Sequence, residues 1–495
     1  MSSITSVRRA ARRTAPLLLF ATGLWPVAAF GGVYAWAHGP LIVLCALFAV
    51  AAVLGAGWRV DTLLTGCIAA VVAAVVFQLV PLTPSILRTA SPAALALLER
   101  QDIGYALGSA TGTVRHALSI NPEATWRFLG AFLALAALFA GVTSLVATTS
   151  FRVVATSTIG IGAVLALVGI VQARAGSVLM YGIWAPTIRA AVFGPFVNRN
   201  HFAAWMLMAF PLAMTQCAAH IAAVRRDSRA TAIEMIGSPR GGRLALTTFA
   251  VVLITTALLM TGSRAAIGAC LLTTAAIAWV PIRRRTSMRT AAPVAVGVLV
   301  LAGIAVALTG WRPIVARFDE LPGTRLSGRL DAWREAGRIA RDFWLTGSGL
   351  NTYATAAPAY HDPAVAFSFS TPHNDYLQVV CDGGLLVGLP LAATIGVLVV
   401  RIGRELRDPA GNPSSEAWTR YGAVLGLLAV ALQELVDFGL QTPANAVIFV
   451  VLAACAGARP HHVSRSLPRT TSLAAHGGSR ATHTRARESA VQSRS

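Results

Sequence analysis

The chain contains no lysine: all 41 of its basic residues are arginine. Acids are scarcer still, at 20 Asp and Glu, and charged residues make up only 12% of the sequence, where soluble domains carry about a quarter. That shortage excludes an ordinary soluble enzyme. The six cysteines (Cys45, Cys67, Cys217, Cys270, Cys381, Cys455) are scattered, mostly inside apolar runs, with neither metal-ligand spacing nor a disulfide framework. There is no carboxylate-rich cluster of the kind that holds a metal, so neither metal nor cofactor is expected. No internal repeat stands out. A cleavable leader is not expected either: Arg8, Arg9, Arg12 and Arg13 precede the run Pro16–Trp36, which is of span length and shows no small-residue cleavage site.

What the chain has in abundance is hydrocarbon. Hydrophobic residues make up 55% and the mean hydropathy is +0.64. A bilayer span needs ~20 apolar residues. Runs of that order lie at 16–37, 40–57, 62–82, 128–148, 153–172, 201–222, 244–262, 264–282, 291–310, 384–402, 420–438 and 443–458, about twelve by the same rule. The expected fold is therefore all-α, a polytopic membrane protein with about twelve transmembrane helices. The formal charge of +21 does not imply a nucleic-acid partner. Its excess lies in short loops and the C-terminal tail, where the positive-inside rule places arginine.

An even number of spans puts five basic segments on one face, the cytoplasm: the N-terminus, the loop with Arg225, Arg226, Arg229, Arg240 and Arg243, the group Arg283, Arg284, Arg285 and Arg289, the loop with Arg401, Arg404 and Arg407, and the tail from Arg459. The expected organisation follows. Residues 1–14 form a basic cytoplasmic N-terminus. Residues 15–310 hold nine helices, with outward segments at 83–127 and 173–200. Residues 311–383 form a large, partly helical periplasmic loop, 384–458 three more helices, and 459–495 a disordered cytoplasmic tail. In the large loop Leu326, Leu330, Trp333, Gly337, Ala340 and Trp344 recur at helical spacing. Arg334, Arg338 and Arg341, with Asp331, Glu335 and Asp342, occupy the other side. That pattern predicts an amphipathic helix on the outer membrane surface, stopped by "TGSG" at 346–349.

Polar residues at the outward ends of spans are the candidate site, because ionisable groups at membrane depth are costly and usually functional. "FGPFVNRNHFAAW" (193–205) supplies Asn198, Arg199, Asn200 and His201, with Arg189 upstream; a helix cap by Asn200 is the plainer reading of its polarity. "MTGSRAAIGA" (260–269) places Arg264 in a short outward hairpin, where an arginine calls for an anion. Phosphate suits a guanidinium through two parallel bonds; snorkelling to lipid headgroups is the alternative. Arg329 and Arg334 are candidates on the loop helix. "STPHNDYLQVVCDGGLLVG" (370–388) sets His373, Asn374 and Asp375 just before a span. A neutral imidazole there can take a proton from a hydroxyl, and Asp375 either orients the ring or caps the helix. In "LQELVDFGLQTPANA" (432–446), Glu434 reads as structural and Asp437 as open to a site role.

Arginines and a histidine around an outward cavity suit a large anionic, lipid-linked substrate. The motifs "NRNHFAAW", "TGSRAAIGA", "RLDAWREAGRIARDFWLTGSGLNTY", "STPHNDYLQVVCDGGLLVGL" and "LVDFGLQTPANA" resemble, over roughly 150–450, the O-antigen ligase/polymerase superfamily of bacterial membrane glycosyltransferases. The resemblance implies an enzyme of the bacterial inner membrane that moves a glycan from polyprenyl (undecaprenyl) diphosphate to a lipid A core, a growing glycan or a protein at the periplasmic face. It implies Arg264 as a diphosphate ligand and His373 as the catalytic histidine, with Arg189 and Arg199 as rivals for a second arginine. A transporter or flippase for the same lipids is the competing class; such proteins tend to be built from related halves, which this sequence lacks.

Overall fold

The computed structural model describes residues 2–112, 114–177, 179–186, 191–225, 237–283, 322–363, 365, 368–407 and 415–459. Arg189, the expected span at 291–310 and the tail beyond Arg459 lie outside the described residues.

The architecture is all-α. The chain runs through α1 (Ser2–Ala28), α2 (Ala35–Ala56), α3 (Thr62–Gln78), β1 (Pro81–Leu82), α4 (Pro84–Ala90), α5 (Pro92–Gln101), α6 (Ile103–Thr111), β2 (His116–Ala117), α7 (Pro122–Val146), α8 (Arg152–Arg174), α9 (Arg199–Arg225), α10 (Pro239–Met260), α11 (Arg264–Arg283), α12 (Pro322–Asp342), α13 (Tyr353–Tyr360), α14 (Asp375–Arg407), α15 (Ser415–Gln433) and α16 (Pro443–Gly457). The two short strands pair antiparallel. Helix starts follow local chemistry. Asp61, Asp102, Asn121 and Ser238 each accept a backbone N–H of the first turn, and proline opens α7, α10 and α16, where its missing N–H costs nothing.

Six described helices are long and apolar enough to cross a membrane: α2, α7, α8, α9, α10 and α14. Shorter apolar helices are α3, the first part of α11 and α16. Helix α9 is the hub. From Phe202 to Gln216 every side chain is buried, as expected of a helix apolar all round, and it packs against α10 and α15. The α15 contact is backbone-close. A Cβ on Gly422 would lie 2.7 Å from Leu212 Cα, and one on Gly426 2.7 Å from the Met208 carbonyl, the small-xxx-small device of membrane helices. By contrast α14 turns Leu385, Leu389, Ile395, Val399 and Val400 outward, as a lipid-facing helix does.

A second, smaller core lies apart from the helix bundle. Leu87, Leu95 and Leu98 from α4–α5, Tyr105 from α6, Ala336 and Ile339 from α12, Phe343 just after it, Tyr353 and Ala356 from α13, and Cys381 from α14 form it. The segments expected to face outward at 83–127 and 311–383 thus share one core. The buried face of α12 differs from the expected one. Ala332, Glu335, Ala336, Ile339 and Phe343 are buried, whereas Leu330 and Trp344 are exposed. Small alanines allow close helix contact there, and Glu335 is accepted because the Tyr353 hydroxyl donates to it at 3.3 Å. Burial nonetheless pushes the Glu335 carboxyl above its usual pKa. One face of α12 is therefore held by a protein core.

Candidate active site

The stretch around His373 is built onto the end of α15. Asn374 caps α14: its Oδ1 accepts the Leu377 N–H at 2.9 Å, while its Nδ2 donates to the Leu435 carbonyl at 2.9 Å. The Asp375 N–H donates to the Glu434 carbonyl and the Tyr376 hydroxyl to that of Ala431. His373 itself takes φ = 51°, a left-handed conformation that a non-glycine residue holds only when its surroundings impose it. Asp375 neither caps the helix nor orients the histidine. Its Oδ2 accepts the Leu440 N–H at 3.2 Å and its Oδ1 the Gln441 side chain at 2.7 Å.

The segment 437–442 brings the histidines together. The Phe438 ring meets the His373 imidazole at 5.0 Å and the His201 imidazole at 4.7 Å, both edge to face. His201 is buried at the start of α9, with Nδ1 at 2.7 Å from the Thr442 hydroxyl and Nε2 at 3.4 Å from Asn198 Nδ2. Asn198, rather than Asn200, caps α9 by accepting the Asn200 N–H at 2.9 Å. The Asn200 side chain is then available to hydrogen-bond Asp437, which is 2% exposed. Asp437, Arg329 and His201 are the charged or titratable groups that act on His373. Burial holds this imidazole below the usual histidine pKa; Asp437 opposes that shift, and Arg329 and His201 add to it. No hydrogen bond to either ring nitrogen of His373 is present among the described residues.

Of the residues singled out in the sequence, the structure thus gathers His373, Asn374, Asp375, Asn198, Asn200, His201, Asp437 and Arg329. Arg334 stands apart, with its side chain 72% exposed and bonded to Asp331 at 2.6 Å. Arg199 opens α9 with its N–H on the Ala191 carbonyl; two residues along a helix diverge by about 200°, so its side chain leaves the axis on the side opposite His201. Arg264 opens α11 after a tight turn at Gly262, where φ is 61°.

A clasp beneath the His373 stretch escaped the sequence pattern. Gln78, at the end of α3, donates to the carbonyls of Thr346 and Asp382 and accepts from the Leu350 N–H. The Ser348 and Gly349 N–H groups bind the carbonyls of Cys381 and Asp382. Asp382, 2% exposed, accepts the Asn351 N–H and hydrogen-bonds Ser348 and Gln378. At Gly347 a Cβ would lie 2.1 Å from the Asp382 carbonyl. At Gly384 α14 kinks, with φ 55° and ψ −157°. "TGSG" and "CDGG" are therefore two halves of one contact. The only sequence signals were a lone glutamine in an apolar run and paired glycines.

Residues 249–392 match the family described as O-antigen ligase. Over this segment the chain is similar to the O-antigen ligase family. The match takes in Arg264, Arg329, His373, Asn374 and Asp375 and leaves Asn198, His201 and Asp437 outside it. No curated protein matches the chain. That similarity supports a membrane-bound, glycosyl-transferring role with a lipid-linked glycan and an acceptor as its general substrates.

Proposed function

We propose that this protein transfers a glycan from polyprenyl (undecaprenyl) diphosphate to a hydroxyl of a lipid A core or a growing glycan. The site faces the periplasm, on the outer side of a bacterial inner membrane crossed about twelve times by spans of ~20 residues. His373 takes the proton of the acceptor hydroxyl. The acceptor oxygen forms a bond to the anomeric carbon as the bond from that carbon to the diphosphate oxygen breaks. The departing diphosphate carries the charge, which guanidinium groups meet in a site that needs no reorganisation. Arg264 is the first of these, joined by Arg199 or Arg189.

The observation that carries this reading is the setting of His373. It lies in the segment matching the ligase family. It is half-buried, has no hydrogen bond to its ring nitrogens among the described residues, and is held below its usual pKa, so it is neutral and able to accept a proton near neutral pH. Asp437 beside it stabilises the imidazolium that forms. The test is glycan transfer in vitro from a defined polyprenyl-diphosphate glycan to candidate acceptors. Wild-type protein transfers, Arg264→Ala loses donor binding while remaining folded, and Arg264→Lys restores it only in part, because a point charge does not reproduce a bidentate contact. Absence of transfer by the wild type to lipid A core and to glycan acceptors alike, with Arg264→Ala binding donor normally, overturns the proposal.

A further inference from the structure

Glu434 is fully buried. Its Oε2 accepts the Gly439 N–H at 2.5 Å, and its Oε1 has no N–H or hydroxyl donor among the described residues. What lies beside it is another acid: the adjacent N–H groups of Gly439 and Leu440 bind Glu434 and Asp375 respectively, which makes the two carboxyl groups neighbours. Two ionised carboxylates so placed, one of them fully buried with an oxygen that no donor among the described residues meets, repel each other, and a proton between them removes that repulsion. The other contacts say which residue carries it. Both oxygens of Asp375 already accept N–H groups, from Leu440 and from Gln441, a pattern that suits the ionised carboxylate better than the acid. Glu434 has one oxygen to spare.

We propose that Glu434 is a neutral carboxylic acid whose Oε1–H donates to the Asp375 carboxylate, and that this proton positions the segment 437–442 against His373. This rests on the glycan-transfer reading for its consequence, though not for its chemistry. The segment is short and ties four things together: Asp437 and Phe438 face His373, the Gly439 N–H binds Glu434, Leu440 and Gln441 bind Asp375, and the Thr442 hydroxyl binds His201. Without the proton, two anions would lie side by side, the Glu434 carboxylate fully buried, and push this segment away from the histidine stretch. The titratable neighbours of the pair are Asp437 on the same segment and Tyr376 on α14; His373, Arg329 and His201 lie beyond, with His373 and Arg329 acting on Asp437. With Glu434 neutral, Asp437 remains the anion that answers His373 and Arg329.

The two acids then differ sharply as mutational targets. In Glu434→Gln the amide oxygen still accepts from Gly439, and the amide NH2 takes the place of the acid proton on Asp375. In Asp375→Asn one of the three bonds to Asp375 loses its acceptor. The purified full-length protein, in detergent or nanodiscs, is examined by infrared difference spectroscopy at neutral pH, and its variants by glycan transfer. The wild type is expected to show a protonated-carboxyl C=O stretch that Glu434→Gln removes. Glu434→Gln is expected to transfer glycan within about threefold of wild type and to keep its pH profile, while Asp375→Asn falls by about tenfold or more. A wild type without that stretch, a stretch that survives Glu434→Gln, or a Glu434→Gln variant as impaired as Asp375→Asn overturns the proposal. The infrared result stands whether or not any glycan is transferred, so its failure is distinguishable from failure of the functional reading.

Discussion

The edge-to-face contact of Phe438 with His373, at 5.0 Å and 68°, fixes the one imidazole in the site that lacks a hydrogen bond to its ring nitrogens among the described residues. An aromatic ring here does what a second hydrogen bond does elsewhere, with the difference that it leaves both nitrogens open. Replacing Phe438 by leucine keeps the apolar volume and removes the ring interaction, worth about 0.5–1.5 kcal/mol. Transfer is expected to fall by about 2- to 10-fold with donor binding unchanged. A Phe438→Leu protein that transfers at the wild-type rate removes Phe438 from the account of how the base is held.

Asp437 sets the pH at which His373 is a base. A carboxylate beside an imidazole favours the charged ring, so Asp437 raises the His373 pKa against the lowering by burial. In Asp437→Asn that opposition is gone, the pKa falls further, and the neutral ring persists to lower pH. The acid limb of transfer rate against pH is therefore expected to move to lower pH in Asp437→Asn, and the maximal rate to drop because the imidazolium is no longer stabilised. An acid limb that moves to higher pH, or stays fixed, contradicts the pairing of these two residues.

The clasp between α3, the 346–351 loop and α14 makes a stability prediction that is separate from catalysis. A methyl group at Gly347 runs into the Asp382 carbonyl and occupies a backbone with φ of 69°. Overpacking and left-handed strain each cost about 1–3 kcal/mol. Gly347→Ala is thus expected to lower the Tm in detergent and the yield from membranes. Gly337→Ala, where a Cβ meets nothing within 4 Å, serves as the control and is expected to be neutral. Equal stability of the two variants contradicts the clasp.

The candidate site was legible to the extent that its polarity stood out from hydrocarbon. His373, Asn198, His201 and Asp437 are polar residues beside apolar runs, and a membrane exposes that mismatch. What polarity does not encode is partnership. Asp375 and Asn374 are both able to cap a helix, as are Asn198 and Asn200, and only the approach of α15 and of the 437–442 segment assigns the neighbours. Phe438 was invisible because a phenylalanine in an apolar stretch carries no signal. The buried face of α12 was misplaced because Trp333, Leu330 and Trp344 outweigh Ala332 and Ala336 in hydropathy, while the packing favours the small residues. Gln78 and Asp382 meet across more than three hundred residues of chain, a distance over which no periodicity reaches.

The central claim is that His373 activates the acceptor hydroxyl. It is tested most directly by the single-turnover rate of glycan transfer by His373→Ala, measured across pH with donor bound. The account predicts normal expression, normal donor binding, a loss of about 10²- to 10⁴-fold in rate, and a residual rate without the acid limb that the imidazole gives the wild type. Transfer by His373→Ala at the wild-type rate, with the acid limb retained, contradicts it.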